Sequence, residues 1–231
     1  MRLFYDPNIT AEHPIHILNE EESKHVVRVL RMVEGDQLAI LNGKGDRFVC
    51  QISEPHPKRC SVNIIENSQT PKPNYSIHIA LGPTKQMERI EWFVEKATEI
   101  GITEITFLQS VNSERVKLKL DRLERKAISA MKQSHRQYLP KLNGLVDFKS
   151  FIKDNPNGLI AHCYDGKKNS IQNSYESTNC PILIGPEGDF SMEEVTLAKK
   201  AGYKTITLGN NRLRTETAAL YACMQAKLMT E

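Results

Sequence analysis

The chain has 231 residues, of which 39% are hydrophobic and 26% are charged, and its formal net charge is +3. This length allows one or two domains, and we expect two. No apolar run is long enough to cross a bilayer and no secretory leader is recognisable, so we expect a soluble, cytoplasmic protein. A net charge of this size does not indicate a nucleic-acid partner, because phosphate binding depends on clusters of Lys and Arg.

The spacing of cysteines and histidines indicates neither a disulfide framework nor a metal site. The five cysteines form no CxxC pair, and the seven histidines form no HExxH pattern. We therefore predict no metal. Most of the cysteines lie in apolar stretches, such as residues 47–50, and are expected to be small buried hydrophobic residues.

The first 70 residues have the pattern of a small β-rich domain. An extended start at residues 2–5 precedes an acidic helical stretch that begins near Asn19. The turn at residues 42–45, Asn-Gly-Lys-Gly, predicts a hairpin because Asn and Gly tolerate positive φ. Alternating apolar residues predict strands near residues 37–41, 47–52 and 61–65. The polar, proline-containing residues 67–74 predict a linker.

From residue 74 to 231 the pattern alternates between strands and helices, which predicts a mostly parallel sheet covered by helices on both faces. An apolar stripe from Met87 predicts a helix that ends at Gly101, and a capping box from Ser191 to Glu194 predicts the start of another. Further strands are expected near residues 76–81, 105–108, 159–163, 181–184 and 204–208, with a basic helix near residues 121–134 and a closing helix after the last strand.

Two loops follow neighbouring strands in this second part. The first loop, residues 185–190, reads Gly-Pro-Glu-Gly-Asp-Phe, and the second loop, residues 208–217, carries two arginines, Glu216 and two threonines into a helix start. Open α/β sheets bind ligands at such strand ends, where glycine lets a ligand approach the backbone. A tight turn would explain the first loop alone, and Thr215 and Glu216 could serve only as helix cap and dipole partner. The pair of loops favours a binding site.

The order of these motifs resembles the RsmE family of 16S ribosomal RNA methyltransferases. The resemblance covers nearly the whole chain and rests on four segments: residues 25–36, 80–85 with 96–101, 183–188, and 208–218. The family implies a PUA-like, RNA-binding β-barrel at residues 1–70 and a SPOUT domain at residues 74–231, an α/β fold with a trefoil knot. It also implies methyl transfer from S-adenosylmethionine to N3 of one uridine, and a homodimer formed through the knot region.

Carried over to this chain, the resemblance implies that the two loops hold the cofactor in a bent conformation, with backbone groups contacting its adenine. The implied cofactor-binding residues are Gly185, Pro186, Glu187, Gly188, Leu208, Gly209, Leu213 and Arg214. The chain departs from the family pattern at Asp189, where a second glycine is usual, and at Asn211 and Arg212, where the usual arginine is displaced by one place. Asp189 is therefore expected to need a backbone angle that glycine adopts freely.

Methylation at N3 requires loss of the N3 proton and stabilisation of charge on the uracil oxygens. Arg214 is the candidate for stabilising that charge, because a guanidinium donates hydrogen bonds while staying positive. Glu216 is a weaker candidate for the base, and a carboxylate that orients Arg214 or nearby amides is an equally good interpretation. Lys96 and Glu99 are expected to be a structural pair.

Two basic clusters are candidates for RNA binding. In the first, Arg28 and Arg31 are expected to share a helix face with Lys24, and the family motif favours a role in RNA binding. The first cluster comprises Arg2, Lys24, His25, Arg28 and Arg31. The second comprises Arg115, Lys117, Lys119, Arg122, Arg125, Lys126, Lys132 and Arg136, and a solvated face balanced by acidic residues competes with RNA binding there.

The expected partner is 16S rRNA, within the small ribosomal subunit, and no membrane is expected. A non-enzymatic RNA-binding or ribosome-assembly protein is the main alternative, but such a protein needs no cofactor pocket. A nucleotide-binding enzyme is disfavoured because no GxGxxG follows the first strand of the sheet and no GxxxxGK[ST] occurs anywhere in the sequence.

Overall fold

The computed structural model describes residues 1–175 and 180–230. The chain forms two compact units: Met1–Lys72 together with Met131–Leu139, and the remainder from Pro73 to Ala130 and from Pro140 onward. The predicted second domain comprised all of residues 74–231, whereas the structure groups Met131–Leu139 with the first unit. Residues 176–179 and 231 of that predicted domain lie outside the described residues.

The first unit is built on a five-stranded sheet with the order β1-β3-β4-β5-β2. Its strands are β1 (Leu3–Tyr5), β2 (Ile15–Ile17), β3 (Gln37–Leu41), β4 (Asp46–Glu54) and β5 (Ser61–Gln69). The expected strands are confirmed, and β2 is an addition that the sequence did not predict. The predicted linker is wrong for residues 67–69, because β5 continues through Gln69 in register with β4.

The turn between β3 and β4 is the predicted hairpin. Gly43 and Gly45 have φ of 74° and 105°, and the Asn42 side chain accepts a hydrogen bond from the amide of Lys44 at 2.8 Å. Residues 131–139 attach here: Gly45 N donates to the carbonyl of Gln137 at 3.0 Å. This pairing explains why that distant segment belongs to the first unit.

The acidic helical stretch forms two consecutive pieces. Helix α1 (Glu20–Lys24) is capped by Asn19, whose side chain accepts from Glu22 N, and a π-helical turn (His25–Val29) follows directly. Val26 is fully buried in the core of the unit with Phe4 and Leu38. Val26, with the partly buried Val27 and Leu30, packs the turn against the core and leaves Arg28 and Val29 exposed.

The second unit contains a seven-stranded sheet in which every neighbouring pair is parallel. The strands are β6 (His78–Leu81), β7 (Glu104–Gln109), β8 (Lys141–Asp147), β9 (Gly158–Ala161), β10 (Asn169–Ser170), β11 (Ile182–Ile184) and β12 (Tyr203–Thr207), in the order β10-β12-β9-β11-β6-β7-β8. The predicted parallel sheet is confirmed, while β8 and β10 were not predicted.

Helices cover both faces of this sheet, as expected. They are α2 (Met87–Ile100), α3 (Leu120–Gln133, which runs from the second unit into the first), α4 (Phe148–Asp154), α5 (Met192–Lys200) and α6 (Thr215–Leu228). Helix α6 packs on α2, β6 and β11. Helices α4 and α5 pack against Ala80, Leu108, Ile160 and Leu183, which point to the opposite face because successive strand residues alternate.

Two local predictions about these helices are confirmed. Gly101 ends α2 in the left-handed conformation with φ 107°, and Ser191 and Glu194 form the complete capping box of α5. Helix α4 was not predicted. Within the described part of the chain, no helix is both long and apolar enough to cross a membrane.

The cysteines match the expectation of buried hydrophobic residues at four of five positions. Cys50, Cys60, Cys180 and Cys223 are buried, whereas Cys163 is exposed, and all are free thiols. Burial raises the pKa of Cys50 to about 12, so this thiol stays protonated at neutral pH.

Candidate functional site

The first loop leaves β11 at the carboxyl edge of the parallel sheet. Gly82, which follows β6, donates its amide to the carbonyl of Ile184 at 2.9 Å. A Cβ on Gly82 would lie 2.6 Å from the nitrogen of Pro186, so only glycine permits this close approach. The start of the first loop is thus held against the neighbouring strand.

Asp189 adopts the left-handed conformation that the sequence analysis expected, with φ 61°. Its carboxylate accepts hydrogen bonds from the amide of Phe190 at 2.8 Å and from the amide of Cys163 at 2.7 Å. The aspartate side chain therefore bonds the first loop to the residues that follow β9. Partial desolvation of the exposed Cys163 thiol, followed by the negative charge of Asp189, raises the pKa of that thiol.

The segment after β7 also contacts the first loop. The Asn112 side-chain amide donates to the carbonyls of Gly188 at 3.1 Å and Asp189 at 3.0 Å. The amide of Val111 donates to Glu194, the capping-box residue of α5, at 2.9 Å. Asn112 was not predicted from the sequence, although the carboxyl ends of parallel strands share one edge of the sheet and the loop after β7 lies at that edge.

The second loop is joined to the first by a buried hydrogen bond. Thr215 Oγ1 donates to the carbonyl of Gly185 at 3.0 Å. Within the second loop, Gly209 has φ 112°, a conformation that favours glycine. The structure therefore brings the two predicted loops together.

The predicted cofactor-binding residues differ in exposure. Gly185 and Pro186 are buried, Leu208 is half-buried, and the others are exposed: Glu187, Gly188, Gly209, Leu213 and Arg214. Arg214 is the N-cap residue of α6 but makes no side-chain cap bond. Within the described part of the chain it has no ion-pair partner, so its guanidinium is free to meet a ligand.

Glu216 is buried, and its charge is met by Arg89 on the first turn of α2. Glu216 Oε1 lies 3.6 Å from Arg89 Nε, while Glu216 Oε2 is buried with no hydrogen-bond partner among the described residues. The same arginine reaches Glu187 Oε1 at 3.3 Å. Glu216 therefore pairs with Arg89, a residue that the sequence analysis did not single out, and no bond joins Glu216 to Arg214 among the described residues.

The first basic cluster lies in the first unit, and four of its members are exposed: Arg2, Lys24, Arg28 and Arg31. His25 is half-buried, with Nδ1 3.5 Å from Glu22. The expectation that Arg28 and Arg31 share a regular helix face with Lys24 is wrong. Helix α1 ends at Lys24, a π-helical turn contains Arg28, and Arg31 lies beyond it with φ 53°.

Much of the second basic cluster is engaged within the protein. Arg115 donates to the carbonyls of Thr84 and Lys85. Three further members pair with carboxylates: Arg122 with Glu91, Lys126 with Glu95, and Lys132 with Glu22. These contacts favour the balanced-surface interpretation. Lys96 pairs with Glu99 at 2.9 Å, as expected.

In residues 1–175 and 180–230, no group of three or more histidine, cysteine or acidic side chains is arranged to hold a metal ion.

Comparison with known proteins assigns a class to this fold and site. The family model described as an RNA methyltransferase domain matches residues 70–227, and the model described as an RNA methyltransferase PUA domain matches residues 18–65. The chain is therefore an RNA methyltransferase with an N-terminal PUA-like domain and a SPOUT α/β domain.

Relatives and solved structures narrow this class. A ribosomal RNA small subunit methyltransferase E from Mesomycoplasma hyopneumoniae is 32% identical over 77% of this chain and 84% of its own length, and one from Rickettsia conorii is 28% identical over 99% and 95%. A Porphyromonas gingivalis structure described as a probable rRNA-methyltransferase has 38% identity and a TM-score of 0.88, covering 100% of this chain and 98% of its own. A Legionella pneumophila structure described as a putative methyltransferase with bound cofactor SAM has 28% identity and a TM-score of 0.87, covering 98% and 97%. The chain belongs to the ribosomal RNA small subunit methyltransferase E (RsmE) family.

The backbone at Asp189 generates a testable prediction. Asp189→Gly and Asp189→Ala both remove the carboxylate and its two hydrogen bonds, but only alanine keeps a Cβ in the left-handed conformation. We expect Asp189→Ala to be less stable than Asp189→Gly by about 1–2 kcal/mol, the usual cost of that conformation. Denaturant unfolding of both variants measures the difference, and equal stabilities would contradict the backbone argument.

Proposed function

We propose that this protein transfers a methyl group from S-adenosylmethionine to N3 of a uridine in 16S rRNA, in the cytoplasm. The observation that carries the proposal is the buried Thr215–Gly185 hydrogen bond, which unites two glycine loops at the carboxyl edge of a parallel sheet. Membership of the methyltransferase family supports this interpretation.

The residues of the two loops fit the cofactor. At Gly209 a Cβ would meet no atom within 4 Å, so the backbone there is open to a ligand. We assign cofactor binding to Gly185, Pro186, Glu187, Gly188, Leu208, Gly209, Leu213 and Arg214. When bound, the sulfonium supplies an electrophilic methyl group, and the loops bind and orient it. The trefoil knot expected around these loops stays a prediction.

Arg214 and Glu216 have different environments, which suggests different roles. Arg214 is exposed and unpaired within the described residues, so its guanidinium can stabilise negative charge on a uracil oxygen as the N3 proton leaves. Glu216 is buried beside Arg89, which favours a role in ordering the start of α6 over direct proton abstraction. We therefore propose Arg214 as the principal catalytic residue and keep Glu216 as the weaker candidate for the base.

RNA binding is assigned to the first basic cluster: Arg2, Lys24, His25, Arg28 and Arg31.

We also propose a homodimer through the second unit. Tyr221, Met224 and Leu228 are 41%, 49% and 66% exposed on α6, and their spacing of three and four residues places them on one helix face. A second copy of the chain would cover this apolar face. We propose that the substrate is 16S rRNA within the small ribosomal subunit.

Reverse transcription of 16S rRNA tests the proposed activity directly, because N3 methylation blocks Watson-Crick pairing and stops the polymerase. We expect one stop that is lost on deletion of the gene and regained on complementation. In parallel, calorimetry with a chelator present should detect S-adenosylmethionine binding by the purified protein. Cofactor binding without any methylated uridine would favour a different target, and absence of both would favour the non-enzymatic alternative.

Arg214→Lys tests the charge-stabilising role. An ammonium is a point charge without the planar fork of donors, so the single-turnover rate should fall. Loss of one preorganised donor costs about 3–4 kcal/mol of barrier, or roughly 10²–10³-fold in rate. The cofactor dissociation constant should change much less. A large loss of cofactor affinity with a preserved rate at saturation would instead assign Arg214 to the cofactor.

Arg28→Ala combined with Arg31→Ala tests the RNA-binding cluster. If each side chain neutralises one phosphate, the slope of log affinity against log salt should become shallower by about 1.4–1.8, and cofactor affinity should stay unchanged. Arg122→Ala with Lys126→Ala is the matched control, because it removes two positive charges that are already paired with carboxylates. A similar change of slope in both double variants would indicate a general charge effect.

A further inference from the structure

Arg89 contacts both loops of the candidate site from the first turn of α2. Its Nη1 lies 3.3 Å from Glu187 Oε1 in the first loop, and its Nε lies 3.6 Å from Glu216 Oε1 in the second loop. The other oxygen of Glu187 accepts the amide of Lys85 at 3.1 Å. One guanidinium therefore lies between two carboxylates that belong to distant parts of the sequence.

The exposure of the three side chains shows why this contact matters. The Glu216 side chain is 9% exposed and the Arg89 side chain is 26% exposed, whereas that of Glu187 is 36% exposed. A carboxylate as buried as Glu216 is costly unless a positive group lies beside it. Its Oε2 has no hydrogen-bond partner among the described residues, so Arg89 is the group that balances its charge.

We propose that Arg89 is a positioning residue that fixes the first loop and the start of α6 relative to each other. The guanidinium suits this role because its fork of donors can address two carboxylates at once, which a lysine ammonium does less well. Helix α2 packs on α6, so Arg89 is anchored on an element that is already fixed to one of its targets. The proposal rests on the proposed function in taking the two loops as the cofactor site.

Cofactor binding by Arg89→Met and Arg89→Lys tests the proposal. Partners that orient the binding groups of a site, such as those of metal ligands, typically contribute about 10- to 100-fold in affinity, so we expect Arg89→Met to weaken S-adenosylmethionine binding by about that factor. Arg89→Lys should retain part of the affinity. Arg122→Met is the matched control, because it likewise removes an arginine that pairs with a carboxylate, here Glu91 of α2. We expect the Arg122→Met variant to keep the parent affinity.

A double-mutant cycle distinguishes positioning from a simple structural ion pair. If Arg89 acts through Glu187, the combination of Arg89→Met with Glu187→Gln should lose less affinity than the sum of the two single losses. Hydrogen exchange without ligand supplies an independent measurement. Arg89→Met should accelerate amide exchange in both residues 185–190 and the first turn of α6, and Arg122→Met should accelerate neither.

The outcomes separate this proposal from the proposed function. If the parent protein binds no S-adenosylmethionine, the proposed function fails, and amide exchange still decides whether Arg89 joins the loops. If the parent binds and folded Arg89→Met binds equally well, the positioning role is overturned. If Arg89→Met does not fold, Arg89→Lys and Glu187→Gln carry the test, and parent affinity in both overturns the proposal.

Discussion

A buried hydrogen bond between Thr215 and the carbonyl of Gly185 joins the two loops on which the candidate site depends. The bond is possible because β6, β11, β9 and β12 are parallel neighbours, so their carboxyl ends lie along one edge of the sheet. Gly82 allows the first loop to approach β6, and Asp189 bonds it to the end of β9. Each contact fixes a backbone segment that would otherwise be a flexible connection between strand and helix.

Asp189 shows how a departure from a family pattern can be accommodated. Glycine at this position would adopt the required φ without strain, whereas aspartate meets a steric cost. Two hydrogen bonds from backbone amides to the carboxylate offset that cost. A carboxylate that accepts backbone amides also satisfies donors at the edge of the sheet, where ladder partners end. The carboxylate therefore holds the loop in the left-handed conformation through these two bonds.

Local sequence patterns predicted the elements whose causes are local. The hairpin at residues 42–45, the left-handed Gly101 and the Ser191–Glu194 capping box each depend on a few neighbouring residues. The missed elements lack such patterns: β8 is only half-buried along its length, and α4 has seven residues, too few for a clear helical period.

Long-range contacts set a second limit on prediction from sequence. Residues 131–139 join the first unit because they pair with the hairpin, a partnership that no local pattern encodes. The same limit applies within the candidate site. The two loops were recognisable from their glycines, but Arg89 and Asn112 enter only because parallel strands bring their segments to the same edge. The expectation that Arg28 and Arg31 share a helix face assumed about 3.6 residues per turn, and the π-helical turn at His25–Val29 does not have that spacing.

The two charged residues of the second loop illustrate how burial divides roles between neighbours. Arg214 precedes the first turn of α6 and is exposed, while Glu216, two residues later, points into the protein and pairs with Arg89. A buried, paired carboxylate loses freedom of movement, which suits a group that fixes geometry. An exposed guanidinium with no ion-pair partner in residues 1–175 and 180–230 keeps its charge and its donors available. The motif Arg-Thr-Glu thus places an exposed guanidinium, a bond to the first loop and an ion pair to α2 within three consecutive residues, because successive side chains at a helix start point in different directions.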